Sequence, residues 1–218
     1  KAATLGTIAA ENTFNYVALG TPELLNFGSD VDFTVAFWTK YGAQPEGSDD
    51  PALIAAQNWA SSNNQGWGIY MQSGGNFRVV VTDDRGSAGK MSTTTTPVIR
   101  DSTWHHVIVT FARKGDATIY VDGAAYSTKS LTAVTGSIDK GDGTNIGQDN
   151  TGFYDSNMAN VLMDDVGIWR RVLSPGEVAA IYNAGKTGKN IEQVPAIPNP
   201  FVQSTSPASN AAGVSPDT

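Results

Sequence analysis

The sequence predicts an all-β domain with one short helix near its C-terminal end. Two observations carry this. Short apolar runs alternate at period two between Gly-, Asn-, Asp- and Ser/Thr-rich loops, and a single helix-start signature stands out against them. In Val31–Lys40 (VDFTVAFWTK), Val31, Phe33, Val35 and Phe37 share one side, while Asp32, Thr34, Trp38 and Lys40 share the other. Ala52–Gln57, Gly66–Met71 and Asn76–Thr82 read as further strands between polar loops. Trp104–Ala112 (WHHVIVTFA) places Val107, Val109 and Phe111 on a core face, and Ala117–Asp122 follows a turn at Lys114–Asp116. Asp122-Gly123 is a strong hairpin-turn signal. Asn160–Arg171 is the last long strand. Ser174-Pro175-Gly176-Glu177 is a capping box with proline at the first helical position. It opens a helix of about three turns whose Val178, Ile181 and Tyr182 share a face and whose C-terminal cap is assigned to Gly185. A helix this short needs the sheet to pack against.

Residues 1–190 are read as one sandwich. From 191 to 218, Pro195, Pro198, Pro200, Pro207 and Pro216 punctuate a stretch with few core residues, which reads as a linker. Ser206–Val214 looks like the opening strand of a bacterial Ig-like repeat. Beginning at Lys1 with no leader-like segment, the chain is expected to be a monomeric module excerpted from a multi-domain secreted or surface protein.

The 218 residues are long enough to bury a core without staples, and the absence of cysteine excludes disulfides and thiol chemistry. A net charge of −7 and a pI near 4.7 argue against nucleic acid as a partner. No run approaches the roughly 20 apolar residues of a membrane-spanning helix.

Three ordered segments resemble the laminin-G-like and pentraxin group of the concanavalin A-like lectin/glucanase superfamily. Phe33–Trp38 is similar to its early "FTVSFW" strand. Trp104-His105-His106-Val107 through Tyr120-Val121-Asp122-Gly123 is similar to its "WHHVAVT…LYVDG" pair. Asn145–Gln148, Met163–Val166 and Leu173–Val178 are similar to "LGQ…IDEV…LSxEI". The resemblance covers roughly residues 12–185 and implies two antiparallel sheets packed as a jelly roll, with loops at a rim. Trp38, Trp104 and Trp169 are expected to be core anchors. His105 and His106 are adjacent on a strand and point to opposite faces, so they cannot share one metal.

The resemblance also implies calcium. Relatives hold a structural ion with the Asp of the "IDEV" strand, which carries over to Asp164, with Glu11, Asn12 or Asn15 as N-terminal partners. Pentraxin-like calcium at the ligand rim carries over to Asp149 and Asn150, although Thr151 stands where a carboxylate is expected. Asp139–Gly143 has some look of a calcium loop but lacks the further acids of an EF-hand, so its Asp and Gly are assigned to turns. Carbohydrate is the expected ligand, since sugars stack on aromatics while amides and acids read their hydroxyls. Three loops are candidates. They carry Asn58, Trp59, Asn63 and Trp67; Asp83 and Arg85; and Asp149, Asn150 and Tyr154 with Phe153. The glucanase signature E-x-D-x-x-E is absent, so no catalytic residues are assigned. The expected function is therefore a secreted, calcium-supported, lectin-like module for a glycan or polysaccharide. The alternative is a protein-interaction or spacer domain.

Overall fold

The computed structural model describes residues 3–8, 13–42, 50–59, 63–72, 74–94, 99–152, 161–194 and 202–204. In chain order the strands are β1 (Ala3–Ile8), β2 (Thr13–Asn15), β3 (Val17–Gly20), β4 (Phe33–Lys40), β5 (Ala52–Ala55), β6 (Gly66–Met71), β7 (Phe77–Thr82) and β8 (Lys90–Thr94). They continue as β9 (Trp104–Phe111), β10 (Asp116–Val121), β11 (Ala124–Ser130), β12 (Thr144–Ile146), β13 (Val161–Trp169) and β14 (Val202–Ser204). Among the described residues the single α-helix is α1 (Pro175–Gly185). Two antiparallel sheets form a jelly-roll sandwich. One runs β11-β10-β9-β4-β13-β1-β2 with β14 also paired to β13, and the other runs β3-β12-β5-β6-β7-β8. Where the two sheets approach at one edge, Thr93 Oγ1 and Ser127 Oγ are 3.2 Å apart.

The alternation read from the sequence fixes which side chains meet between the sheets. Phe33, Val35 and Phe37 of β4 lie beside Val107, Val109 and Phe111 of β9, in a register pairing Phe33 with Phe111 and Phe37 with Val107. Facing them are Trp67, Ile69 and Met71 of β6 and Phe77, Val79 and Val81 of β7. Phe27, Phe33 and Phe111 stack in sequence, with ring centroids 4.0 and 4.1 Å apart. Each fully buried side chain of this size contributes roughly 1.5–3 kcal/mol.

The second face of β4 and β9 is covered by α1. Ala36, Ile108, Trp169, Leu173, Val178 and Ile181 form a separate apolar cluster there. The capping box is present: Ser174 Oγ accepts from the Glu177 N–H, and Glu177 accepts from the Ser174 N–H at 2.8 Å. The predicted cap at the other end moves. Gly185 is the last helical residue, and the left-handed position falls on Gly188, at φ +77°, which lets the next N–H, that of Lys189, bond back to Ala184 O. The Asp122-Gly123 turn joins β10 to β11 as expected, with both residues at positive φ.

Strand β13 contains a bulge that the sequence did not announce. Met163 lies in the core phase, and so do Val166 and Ile168, which is possible only because the register shifts between Asp164 and Gly167. Asp165 absorbs the extra residue at φ +51°. Beyond α1, the linker reading does not describe the early part of 191–218. Ile191 and Val194 are buried in the α1 cluster, and β14 pairs with Val166–Ile168 of β13. The Ser206–Val214 strand lies outside the described residues. Of the three tryptophans expected in the core, Trp169 is buried, Trp38 is half-buried under α1, and Trp104 is 38 % exposed. Trp104 is the first residue of β9 and points to the α1 side, where the helix stops short of covering it.

Candidate functional site

Four loops meet at one end of the six-stranded sheet. The first follows β5. Gln57, fully buried, donates to Asn64 O and to Thr82 Oγ1 and accepts from the Tyr70 hydroxyl, so one amide ties this loop to β6 and β7. The second loop is Gly147–Gly152. Its Asn150 N–H donates to Gln57 O at 3.2 Å. Its Asp149 is completely buried: Oδ2 accepts Trp59 N–H at 3.1 Å, and Oδ1 accepts Thr151 N–H and Oγ1 at 2.9 and 2.5 Å. Asn145 Nδ2 donates to Asp149 O. Asp149 is therefore the pin that fixes Trp59, rather than a group open to a ligand.

The third loop follows β7. Asp83 is also fully buried, accepting Gly136 N–H at 2.7 Å and the Arg85 guanidinium at 2.6 Å. Burial opposes its charge, but the bonds from Arg85 and Gly136 prevail and lower its pKa. Arg85 continues to Ala133 O, so the pair joins the β7 end to the fourth loop, residues 131–142. Asn63 sits on this corner, where a Cβ added at Gly86 would lie 3.3 Å from its Oδ1. Asp139, in the loop likened to a calcium site, accepts the Phe27 and Gly28 N–H groups and acts as a turn residue.

At this rim Trp59 is half-buried across the outer side of the sheet. Its ring lies 4.7 Å from the Tyr70 ring, with the Arg78 guanidinium 4.8 Å and the Lys90 ammonium 5.8 Å from its centroid. Ala52, Ala55 and Val80 pack beneath it. Arg78 is held by Asp50 at 2.6 Å. Asn58 adjoins Trp59, and Asn150 reaches Asp142 at 3.1 Å while its own Oδ1 is buried without a partner among the described residues.

The structure thus gathers Asn58, Trp59, Asn63, Asp83, Arg85, Asp149 and Asn150 at one rim. Tyr154 lies outside the described residues. Trp67 does not belong with them. It is 1 % exposed among Phe27, Phe33 and Phe111, because β6 turns Trp67, Ile69 and Met71 inward and Gly68 and Tyr70 outward. Tyr70, Arg78 and Lys90 were missed; strand phase was the available signal for each.

The metal expectations are less coherent. Asp164 Oδ1 accepts the Asp165 N–H. Asn15 pairs with Gly6 of β1, whereas Asp164 lies next to Met163, which pairs with Ala3. Two strand spacings and several residues, about 15 Å in all, separate Asn15 from Asp164, so they do not share one coordination sphere. Glu11 lies outside the described residues. Among the described residues no group of three His, Cys, Asp or Glu side chains could hold a metal ion.

The two antiparallel sheets and the order of their strands define the jelly-roll class of β-sandwich. The chain belongs to the concanavalin A-like lectin/glucanases superfamily, whose sequence profile matches residues 11–179. It is similar to Paraclostridial mosquitocidal protein 1 of Paraclostridium bifermentans, 25 % identical over 169 residues, 74 % of this chain and 13 % of that protein. The crystal structure of that protein's binding domain superposes with a TM-score of 0.62 at 19 % identity, covering 84 % of this chain and 51 % of the other. The binding domain of botulinum neurotoxin DC, solved in complex with SialylT, gives 0.62 at 17 % identity over 83 % of this chain and 41 % of that one. The same domain in complex with rat synaptotagmin II gives 0.61 at 18 % identity, with 83 % and 42 % covered. The chain thus spans about half of each matched domain and a small part of the whole mosquitocidal protein.

Proposed function

We propose that this chain is a non-catalytic, lectin-like glycan-binding module of a larger secreted or surface bacterial protein. The observation that carries this is the rim: a half-buried Trp59 held from beneath by Tyr70 and positioned by a buried Asp149, with Asn58 beside it in the chain and Asn63 exposed on the same loop. An indole beside amide donors and acceptors suits the apolar face and hydroxyls of a sugar. Support also comes from membership of a lectin-containing superfamily and from the SialylT complex of one structural neighbour. Binding to a receptor protein is the second reading, favoured by the synaptotagmin complex of the same neighbour.

The test is a glycan and polysaccharide array with the intact chain and Trp59→Ala. Loss of at least tenfold in affinity for the bound glycan is expected, with the melting temperature kept within a few degrees. Retention of every glycan by Trp59→Ala means that the rim is not the site. Asp149→Ala is unsuitable here, because it releases three donors at once and perturbs the loop itself. Calcium, the cofactor that the family resemblance implies, enters the proposal only as a structural ion apart from the glycan sites. Dialysis against EDTA is expected to lower the melting temperature, and an unchanged value removes calcium from the proposal.

A further inference from the structure

We propose that a cavity on the opposite side of the molecule, beneath the C-terminal end of α1, is a separate binding site for a neutral saccharide residue. The proposal rests on the glycan-binding reading above, but it uses a different sheet and different residues. The cavity has a volume of about 560 Å³, within the roughly 300–1,000 Å³ of ligand clefts. Its floor is built by neighbouring strands. Asp164 of β13 pairs with Trp38 of β4, which pairs with His106 of β9. Trp104 lies two residues before His106 and so stands diagonally beside Trp38, about 7–8 Å away along the same face.

The two tryptophans are not equivalent. Trp38 is packed against His106 and Tyr182, with centroids 4.9 and 6.0 Å away, and Gly185 of α1 presses on its indole edge. Trp104 is 38 % exposed and turns into the cavity. A wet indole on a concave wall is the platform that sugar C–H groups cover.

The polar wall follows from the β13 bulge. Putting two residues opposite one turns both Asp164 and Asp165 toward the cavity, where strict alternation would hide one of them. Among the described residues Asp164 accepts only the Asp165 N–H, and Asp165 accepts the Ile191 N–H at 2.9 Å. A carboxylate offers about four lone-pair directions, so both retain capacity for hydroxyl donors. Lys189 and Asn190 line the remaining side and supply donors. Acceptors, donors and an indole around one cavity make the set that a polyhydroxylated ring satisfies.

Charge selects within that class. Asp164 and Asp165 are half-buried in the wall, while Lys186 and Lys189 are exposed at the mouth, and the Lys186 ammonium lies 5.2 Å from the Tyr182 ring. Glu192 adds a third carboxylate close enough to act on Asp165, so the two lysines do not outweigh the acids and the cavity does not reward an acidic sugar. The carboxylates nearest the bound ring repel one.

The experiment is an array of neutral and sialylated glycans probed in EDTA with the intact chain, followed by calorimetric titration of the best neutral glycan. It is repeated with Trp104→Ala, Asp164→Asn and Trp59→Ala. A neutral glycan is expected to bind, at least tenfold more weakly to Trp104→Ala and several-fold more weakly to Asp164→Asn, with melting temperatures unchanged and Trp59→Ala binding normally. Neutral-glycan binding that survives both cavity substitutions, or that only Trp59→Ala removes, overturns the cavity site and leaves the rim. A preference for sialylated glycans that Trp104→Ala abolishes overturns the neutral selectivity. Absence of any glycan binding overturns this inference and the glycan-binding function together.

Discussion

At the scale of single residues, glycine and tryptophan show how one contact decides a sequence choice. Gly185 ends α1 and would ordinarily be improved by alanine, since alanine is better in a helix by about 1 kcal/mol. A Cβ there would stand 2.5 Å from Trp38 Nε1 and 2.6 Å from Cζ2. The indole cannot retreat, because His106 and Tyr182 lie close around it. Overpacking of this kind costs about 1–3 kcal/mol and outweighs the propensity gain. Gly185→Ala is therefore expected to lower unfolding free energy in urea by about 1–2 kcal/mol. A stabilised variant would mean that α1 can shift off the sheet. His106 belongs to the same group: burial pushes its pKa down to about 3, and neither ring nitrogen has a partner among the described residues. It serves as a neutral filler under the helix, whereas its neighbour His105 is bracketed by Asp122 at 2.7 Å and Asp101 at 3.1 Å.

At the scale of elements, α1 is a device whose stability is set by its first turn. Glu177 closes the capping box on Ser174 and also takes both guanidinium nitrogens of Arg171, at 3.0 and 2.7 Å. Arg171 and the Ser174 donors outweigh desolvation and lower the Glu177 pKa to about 2 from 4.5. Because the folded value is the lower one, the stabilisation is complete above 4.5 and is lost as pH falls toward 2. Glu177→Gln keeps the reach to Ser174 but not the charge. Its melting temperature is expected below that of the parent at pH 7, with the gap closing between pH 4.5 and 2. A gap that is constant with pH means the carboxylate charge contributes nothing. This helix was legible because its signals are local, as were strands such as Gly66–Met71, whose apolar side chains alternate or run continuously. Several of the strands not found were edges or fragments. Strand β11 reads Ala-Ala-Tyr-Ser-Thr-Lys-Ser with no buried residue, β8 is Ser/Thr-rich, and β12 has three residues. An edge strand needs no apolar face, so alternation has nothing to report. The rim was legible in its loops, but separating Trp59 from Trp67 needs strand phase. The cavity was not legible, since residues 38, 104 and 164 meet only through strand order, and the β13 bulge adds Asp165.

At the scale of the whole molecule, the two ends of the described chain meet on one strand. Strand β1 pairs with Val161–Met163 of β13, and β14 pairs with Val166–Ile168 on the other side of the bulge. The eight-stranded sheet therefore closes only when residues on either side of 190 are both in place. The core between the sheets draws instead on β4, β6, β7 and β9, none of which needs β14. Deleting residues 201–218 should thus leave a folded sandwich while stripping the Val166–Ile168 edge of its partner. Two or three lost backbone hydrogen bonds at about 1 kcal/mol each set the expected destabilisation at about 2–3 kcal/mol. Amide exchange gives a sharper readout than the melting curve. Gly167 and its neighbours should lose protection, while Val107 and Val109 of β9 keep theirs as long as global stability allows. Unchanged protection at Gly167 in the truncated chain would show that β14 is dispensable, and that the sandwich is complete by Val194.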